Sequence, residues 1–130
     1  MFTDKDNRLY IDKIKIMAIK IINESISKSE LRKIAENQFG DLIKAVVDIE
    51  KGVMAVGGDL HADEEKALLE ERSKQENLWG INLYINKQEE EFIEFDSMIN
   101  VRPSQNNKSR SVENLEIQRK IRDIVSKLVL

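Results

Sequence analysis

The sequence contains no cysteine. That absence removes disulfides, thiolate metal sites, thiol nucleophiles and cysteine redox chemistry together. A reducing compartment fits such a chain, and the cytoplasm is the expected location. No apolar run approaches the roughly 18 residues needed to cross a bilayer, so no membrane span is expected. The opening stretch mixes both charge signs and leads into Leu9-Tyr10-Ile11-Asp12-Lys13. It lacks a basic region followed by an apolar core, so a secretory signal is not expected. A basic excess is missing too. Lys and Arg number 21 against 24 Asp and Glu, for a formal net charge of −3. A general phosphate-backbone binder normally carries the opposite balance.

Several motifs are also absent. Gly57-Gly58 is not part of a Gly-x-Gly-x-x-Gly run and no Walker lysine follows it, so a nucleotide-phosphate loop is not supported. There is one histidine, His61, so a pair of histidines at metal-ligand spacing is excluded. No metal site and no cofactor are expected. No internal repeat and no sustained heptad pattern is found.

What is present is one domain's length of chain, 130 residues, with 35% charged and 5% aromatic residues. That length can bury a core without staples. The high charge fits a well-solvated surface.

Met17 to Ile22 reads as a short β-branched strand. Ser27-Lys28-Ser29-Glu30 matches a capping box, which predicts a helix with Leu31, Ile34 and Ala35 on one face and a stop at Gly40. Leu42 to Ile49 predicts a strand with Ile43, Ala45, Val47 and Ile49 on one side and Lys44, Val46 and Asp48 on the other. Glu50-Lys51-Gly52 supplies a turn into Val53 to Gly57, the second arm of a hairpin. A helix is predicted from about Ala62 to Glu71, with Asp63, Glu64 and Glu65 in its first turn. Leu78 to Ile85 predicts a strand, and the alternation from Phe92 to Val101 predicts another, ended by Pro103. A last helix is expected from about Asn114 to Val129, burying Ile117, Ile121, Ile124, Val125 and Leu128. The order β-α-β-β-α-β-β-α predicts an α+β fold. The sheet is expected to be mostly antiparallel or mixed, with the helices largely on one face.

Phe39-Gly40-Asp41, Lys44 to Asp48 and Gly57-Gly58-Asp59-Leu60-His61-Ala62-Asp63 carry a resemblance, as do Ser73 to Asn82 and Ile93 to Ser104. Together they resemble a small prokaryotic family known as domain of unknown function 5674, from roughly Met17 to the C-terminus. Lys108 stands where that pattern has an arginine. It keeps the charge and loses the planar fork. The resemblance implies no activity and no residue roles. Residues 1–16 fall outside it and are expected to be an N-terminal extension, either mobile or not native. The single α+β domain is expected at 17–130.

Two polar segments are candidate sites. In the first, His61 lies beside Asp59 and Asp63. A functional reading makes it a general base oriented by a carboxylate, or one ligand in a metal site completed by Asp or Glu. A structural reading makes it a polar residue at a helix start, with Asp59 capping the turn. Asp96, alternating with Glu94 and Asn100 onto the outward face of its strand, is a further carboxylate candidate, though one face of such a sheet is often simply wet. In the second, residues 102–110 carry Arg102, Lys108 and Arg110 without an acid, and Ser104, Gln105, Asn106, Asn107 and Ser109 add hydrogen-bonding groups. Such a loop can hold a phosphate, or it can be a solvated connection with turns at Pro103 and the asparagines. It has no aromatic residue for base stacking.

These features predict a binding or regulatory module with a polar site near His61 and a basic loop at 102–110. A phosphate-bearing ligand or a protein partner would fit it. The alternative is a hydrolase or phosphate-directed enzyme using His61 with Asp59, Asp63 or Asp96. A homo-oligomer formed through an exposed sheet face is a third reading.

Overall fold

The protein was analysed as a computed structural model, which describes residues 18–130. The expected extension at 1–16 and the expected strand start at Met17 lie outside the described residues. The rest folds as α+β, with three α-helices and a five-stranded antiparallel sheet among the described residues. In chain order the elements are β1 (Lys20–Ile22), α1 (Lys28–Glu36), β2 (Leu42–Asp48), β3 (Val53–Val56), α2 (His61–Glu70), β4 (Leu78–Tyr84), β5 (Ile93–Glu94) and α3 (Leu115–Leu128). The strands lie side by side as β1-β3-β2-β4-β5.

Local chemistry accounts for the boundaries. Ser27 Oγ accepts the Glu30 amide at 3.1 Å and starts α1. Past the helix end, Gly40 takes φ +92° and donates its amide to Ala35 at 2.7 Å. The β2–β3 hairpin turns on Gly52, at φ +69°. The Asp48 carboxylate braces that turn by accepting the Glu50 and Lys51 amides at 2.9 and 3.0 Å. The α3 cap is Asn114, whose side chain accepts from Glu116 and Ile117.

The alternation within β2 and β4 divides the molecule into two layers of contact. Ile43, Ala45, Val47, Trp79, Ile81 and Leu83 point to one face and pack with Leu31 and Ala35 of α1 and Ile121, Val125 and Leu128 of α3. Each valine, leucine or isoleucine among them contributes about 1.5–3 kcal/mol on full burial. Val46, Ala55 and Leu78 point to the other face and meet Leu68 of α2. Two helices therefore share the larger core, and α2 covers part of the second face. The uncovered remainder of that face carries the polar residues of β2, β4 and β5.

The strand expected over 92–101 is corrected to Ile93–Glu94, which pairs with Leu83 and Asn82 of β4, with one more bond from the Tyr84 amide to the Phe92 carbonyl. Beyond it, Ser97 Oγ accepts the Ile99 amide and opens a 3-10 turn, Met98–Asn100. Gly80 permits this departure. A Cβ there would lie 2.6 Å from both Cβ and Oγ of Ser97, so the chain crosses over β4 at a point where β4 has no side chain. Asn100, expected on an outward strand face, is fully buried instead.

Candidate functional site

Strand register sets a polar row on the second face, and its Lys44 borders the candidate cleft. Lys44 of β2 pairs with Asn82 of β4, and Asn82 pairs with Glu94 of β5. Three polar residues thus stand in one row across three strands. Asn82 Nδ2 donates to Glu94 Oε1 at 2.8 Å and to the Asp96 carbonyl at 3.2 Å. The Tyr84 hydroxyl donates to the same Glu94 oxygen at 3.3 Å. Lys44 Nζ lies 5.2 Å from the centre of the Phe39 ring.

The start of α2 forms one wall. Gly57 delivers the chain there with φ +94°, and a Cβ at Gly57 would sit 2.4 Å from the Ala18 carbonyl oxygen. Leu60 precedes the helix and gives its first turn no side-chain cap. His61 is buried, and its Nε2 lies 2.8 Å from the Ile81 carbonyl oxygen. A carbonyl only accepts, so Nε2 carries the hydrogen and Nδ1 is the basic nitrogen of the neutral ring. Burial holds the imidazole below its ordinary pKa of 6.5, against the opposing pull of the Ile81 carbonyl.

The opposite wall comes from the segment after β5. Lys44, Leu60, His61, Ser97, Met98 and Arg110 border a cleft of about 200 Å³. Arg110 donates from Nε to Asp96 Oδ1 at 2.6 Å, in an exposed ion pair. The two segments singled out from the sequence therefore meet, through His61 and Arg110. Asp96 belongs to the same neighbourhood, because its charge acts on His61.

The remaining candidates lie elsewhere. Asp59 accepts from Gln38 Nε2 at 3.2 Å. Asp63 borders a separate small depression with Lys66 and Glu70. Arg102 donates to the carbonyls of Gln75 and Leu78, and its guanidinium lies 4.2 Å from the centre of the Trp79 ring. Ser104 is exposed in a 3-10 turn, and Asn106 closes that turn at φ +60°. Lys108 and Ser109 turn their backbone amides to one oxygen of Glu113, at 2.6 and 2.8 Å. These amides, with the Ser109 hydroxyl, hold the Glu113 carboxyl below its ordinary range. The loop thus supplies its own anion at the place where a phosphate was envisaged.

Three residues matter that the sequence does not single out as site residues, Lys44, Ser97 and Glu64, and a fourth, Asn107, has a role other than the ligand contact its type suggests. Alternation puts Lys44 on the correct strand face, but nothing in the sequence links it to His61. Ser97 sat in an expected strand. Asn107 is the buried centre of the loop, donating to the carbonyls of Asn100, Ser109 and Ser111. Glu64 is fully buried one turn along from His61. It accepts the Gly58 amide at 3.0 Å on Oε2, while Oε1 has no partner. Burial raises its pKa well above the ordinary 4.5. The spacing of His61, Glu64 and Leu68 is the helical signal that identifies it.

Among the described residues, no group of three or more His, Asp or Glu is arranged to hold a metal ion, and no helix is long and apolar enough to cross a membrane. No curated protein and no solved structure matches the chain. One family does, described as Protein of unknown function (DUF5674), over residues 20–128. That match spans all three helices and all five strands of the fold, and the chain belongs to this family.

Proposed function

We propose that this domain is a small binding or regulatory module that takes an anionic ligand in the cleft between α2 and the segment carrying Arg110. One observation carries the reading. Lys44 and Arg110, two cations from distant parts of the chain, border the same cleft as the uncapped start of α2. A helix start presents free amides and the positive end of the dipole, so all three features favour negative charge. The cleft's size selects among anions. At about 200 Å³ it falls below the roughly 300–1,000 Å³ usual for drug-sized ligands, which favours phosphate or a small phosphate or carboxylate ester over a nucleotide. A chain without cysteine suits a reducing compartment, so the cytoplasm is the proposed location.

The test is a phosphate titration followed by amide chemical shifts. Saturable shifts at His61, Ala62, Ser97 and Arg110, lost in Lys44→Gln and Arg110→Gln, are expected. Shifts that persist in both variants would sink the proposal.

A catalytic reading rests on His61 itself, which borders the cleft, is favoured in its neutral form by burial and has Nδ1 as its basic nitrogen through the bond from Nε2 to Ile81. It requires turnover of a phosphate or carboxylate ester that His61→Gln abolishes. Binding without turnover would reject it.

A further inference from the structure

A second cavity lies on the opposite side of the sheet, away from His61. It encloses about 480 Å³ between α3, the first residue of α1 and the connection from β4 to β5. Phe92, Ile93, Val125 and Val129 supply its apolar lining, and Lys28 and Arg122 supply two positive charges, while the Lys87 ammonium lies 4.5 Å from the centre of the Tyr84 ring. The two cations come from separate parts of the chain, so their convergence follows from the fold and not from a basic run in the sequence.

The walls are fixed by unusual local ties. Ile26 and Val129 form a parallel bridge, in which Ile26 donates to the Leu128 carbonyl at 2.7 Å and Leu130 donates to the Ile26 carbonyl at 3.0 Å. This fastens the start of α1 to the end of α3. The facing wall holds Glu89 at φ +54°, a backbone state that a non-glycine residue rarely adopts. Such residues concentrate at ligand clamps. Arg122 joins the two walls. Its guanidinium lies 5.1 Å from the centre of the Phe95 ring and 3.5 Å from Glu90. Glu90 is 86% exposed, so this ion pair is a weak one that an incoming anion can replace.

We propose that this cavity binds a small amphiphilic carboxylate, a hydrocarbon or aryl body with one acidic end. The volume lies within the range of small-molecule sites. The body would rest on Phe92, Ile93 and Val125, and the carboxylate would take a forked pair of hydrogen bonds from Arg122. The acids Glu89 and Glu90 stand at the same rim and offset part of the positive field. That balance favours a monoanion over a phosphate dianion. The site is independent of the cleft at His61.

Octanoate below its micelle-forming concentration is the probe, with 1-octanol as the apolar control and inorganic phosphate as the charged control. Amide chemical shifts locate the binding. Octanoate is expected to shift Phe92, Ile93 and Val125 saturably and to leave His61 unmoved. Octanol and phosphate should each bind this site at least about tenfold more weakly, the factor expected when one charge-assisted contact is lost. Arg122→Gln should weaken octanoate by a similar factor. Ser126→Phe, which fills the cavity from an exposed helix position, should block it with the charges intact. Equal affinity for octanol, equal affinity for phosphate at these residues, or octanoate shifts unaffected by both variants would each overturn the proposal, as would the lack of saturable shifts in a folded protein.

Discussion

The side-chain amide of Asn100 takes the place of a β-strand beside Gly80. Its Nδ2 donates to the Gly80 carbonyl at 2.9 Å, and its Oδ1 accepts the Gly80 amide at 2.8 Å. Both backbone groups lie on the edge of β4 that β5 vacates after Glu94. A buried strand edge cannot leave such groups unpaired without cost. Nδ2 donates a second time, to the Arg110 backbone carbonyl at 3.0 Å, and so ties the backbone that carries the site's cation to the sheet.

Asn100→Ala should therefore destabilise the fold by about 2–4 kcal/mol, since two or more buried polar groups are left unsatisfied. Asn100→Asp keeps the shape but turns an acceptor toward the Gly80 carbonyl, and should be no better at neutral pH. Urea unfolding measures both. A loss below about 0.5 kcal/mol for Asn100→Ala, the level of ordinary surface changes, would mean that the edge repairs itself by other means.

Glu64 makes a prediction about pH. Burial raises its folded-state pKa well above 4.5, so the folded protein holds this proton more tightly than the unfolded chain does. The associated stability is complete below the unfolded value and is lost as pH rises through the folded one. Glu64→Gln preserves an acceptor for the Gly58 amide and removes the ionisable group. The variant is expected to be more stable than the parent at pH 7, and the gap should narrow toward pH 4. Chemical denaturation across that range reads the difference, and a gap that widens on acidification contradicts the assignment.

The boundary between what the sequence disclosed and what it concealed is physical. Alternation in β2 and β4, the Ser27 cap and the α3 stripe are local patterns, and each corresponds to an element seen in the fold. The strand after Phe92 misled because alternation records which side a residue faces, not whether a neighbouring strand exists. Ile93 and Phe95 do face the core as the pattern implied, yet pairing stops at Glu94. The loop at 102–110 concealed its chemistry differently. Its asparagines and serines look like ligand groups by type. Asn107 spends its amide on three loop carbonyls, and Ser109 joins in holding Glu113. Residue type does not distinguish a side chain that holds the loop's own backbone from one left free for a ligand. Lys44 lies far along the chain from Arg110, and no spacing rule links them to one cleft.

Arg102 should prove structural. Its guanidinium covers the Trp79 ring while donating to Gln75 and Leu78. A lysine cannot reproduce a flat donor pair stacked on an indole. Arg102→Lys is expected to cost about 1–3 kcal/mol and to alter the emission of the single tryptophan. Anion binding at His61 should persist in the folded variant. Loss of that binding at full stability would instead make Arg102 part of the site.

The loop's internal anion gives another test. The amides of Lys108 and Ser109 and the Ser109 hydroxyl hold Glu113 ionised below its ordinary range. A lowered folded pKa means that this contact is complete above 4.5 and weakens as pH falls through the folded value. Exchange of the Lys108 and Ser109 amides should therefore stay slow from neutral pH down to 4.5, after allowance for the intrinsic rate, and rise below it. Glu113→Ala should show the fast rate at every pH. Unchanged protection in that variant would show that something other than the carboxylate orders the loop.

His61, as the only histidine, provides an unambiguous reporter. Burial lowers its pKa, so its imidazole signal should titrate below the ordinary 6.5. The unfolded chain then binds the proton more readily, and stability should fall as pH drops from 6.5 toward the folded value. His61→Gln should remove that part of the acid sensitivity. An anion in the cleft adds negative charge beside the ring and favours its protonated form, so saturating phosphate should move the titration upward. Lys44→Gln and Arg110→Gln shift the apo titration by removing nearby charge, but should abolish the phosphate-dependent part. An apo titration above 6.5 would contradict the burial of the ring, and a phosphate-independent one would contradict the anion site.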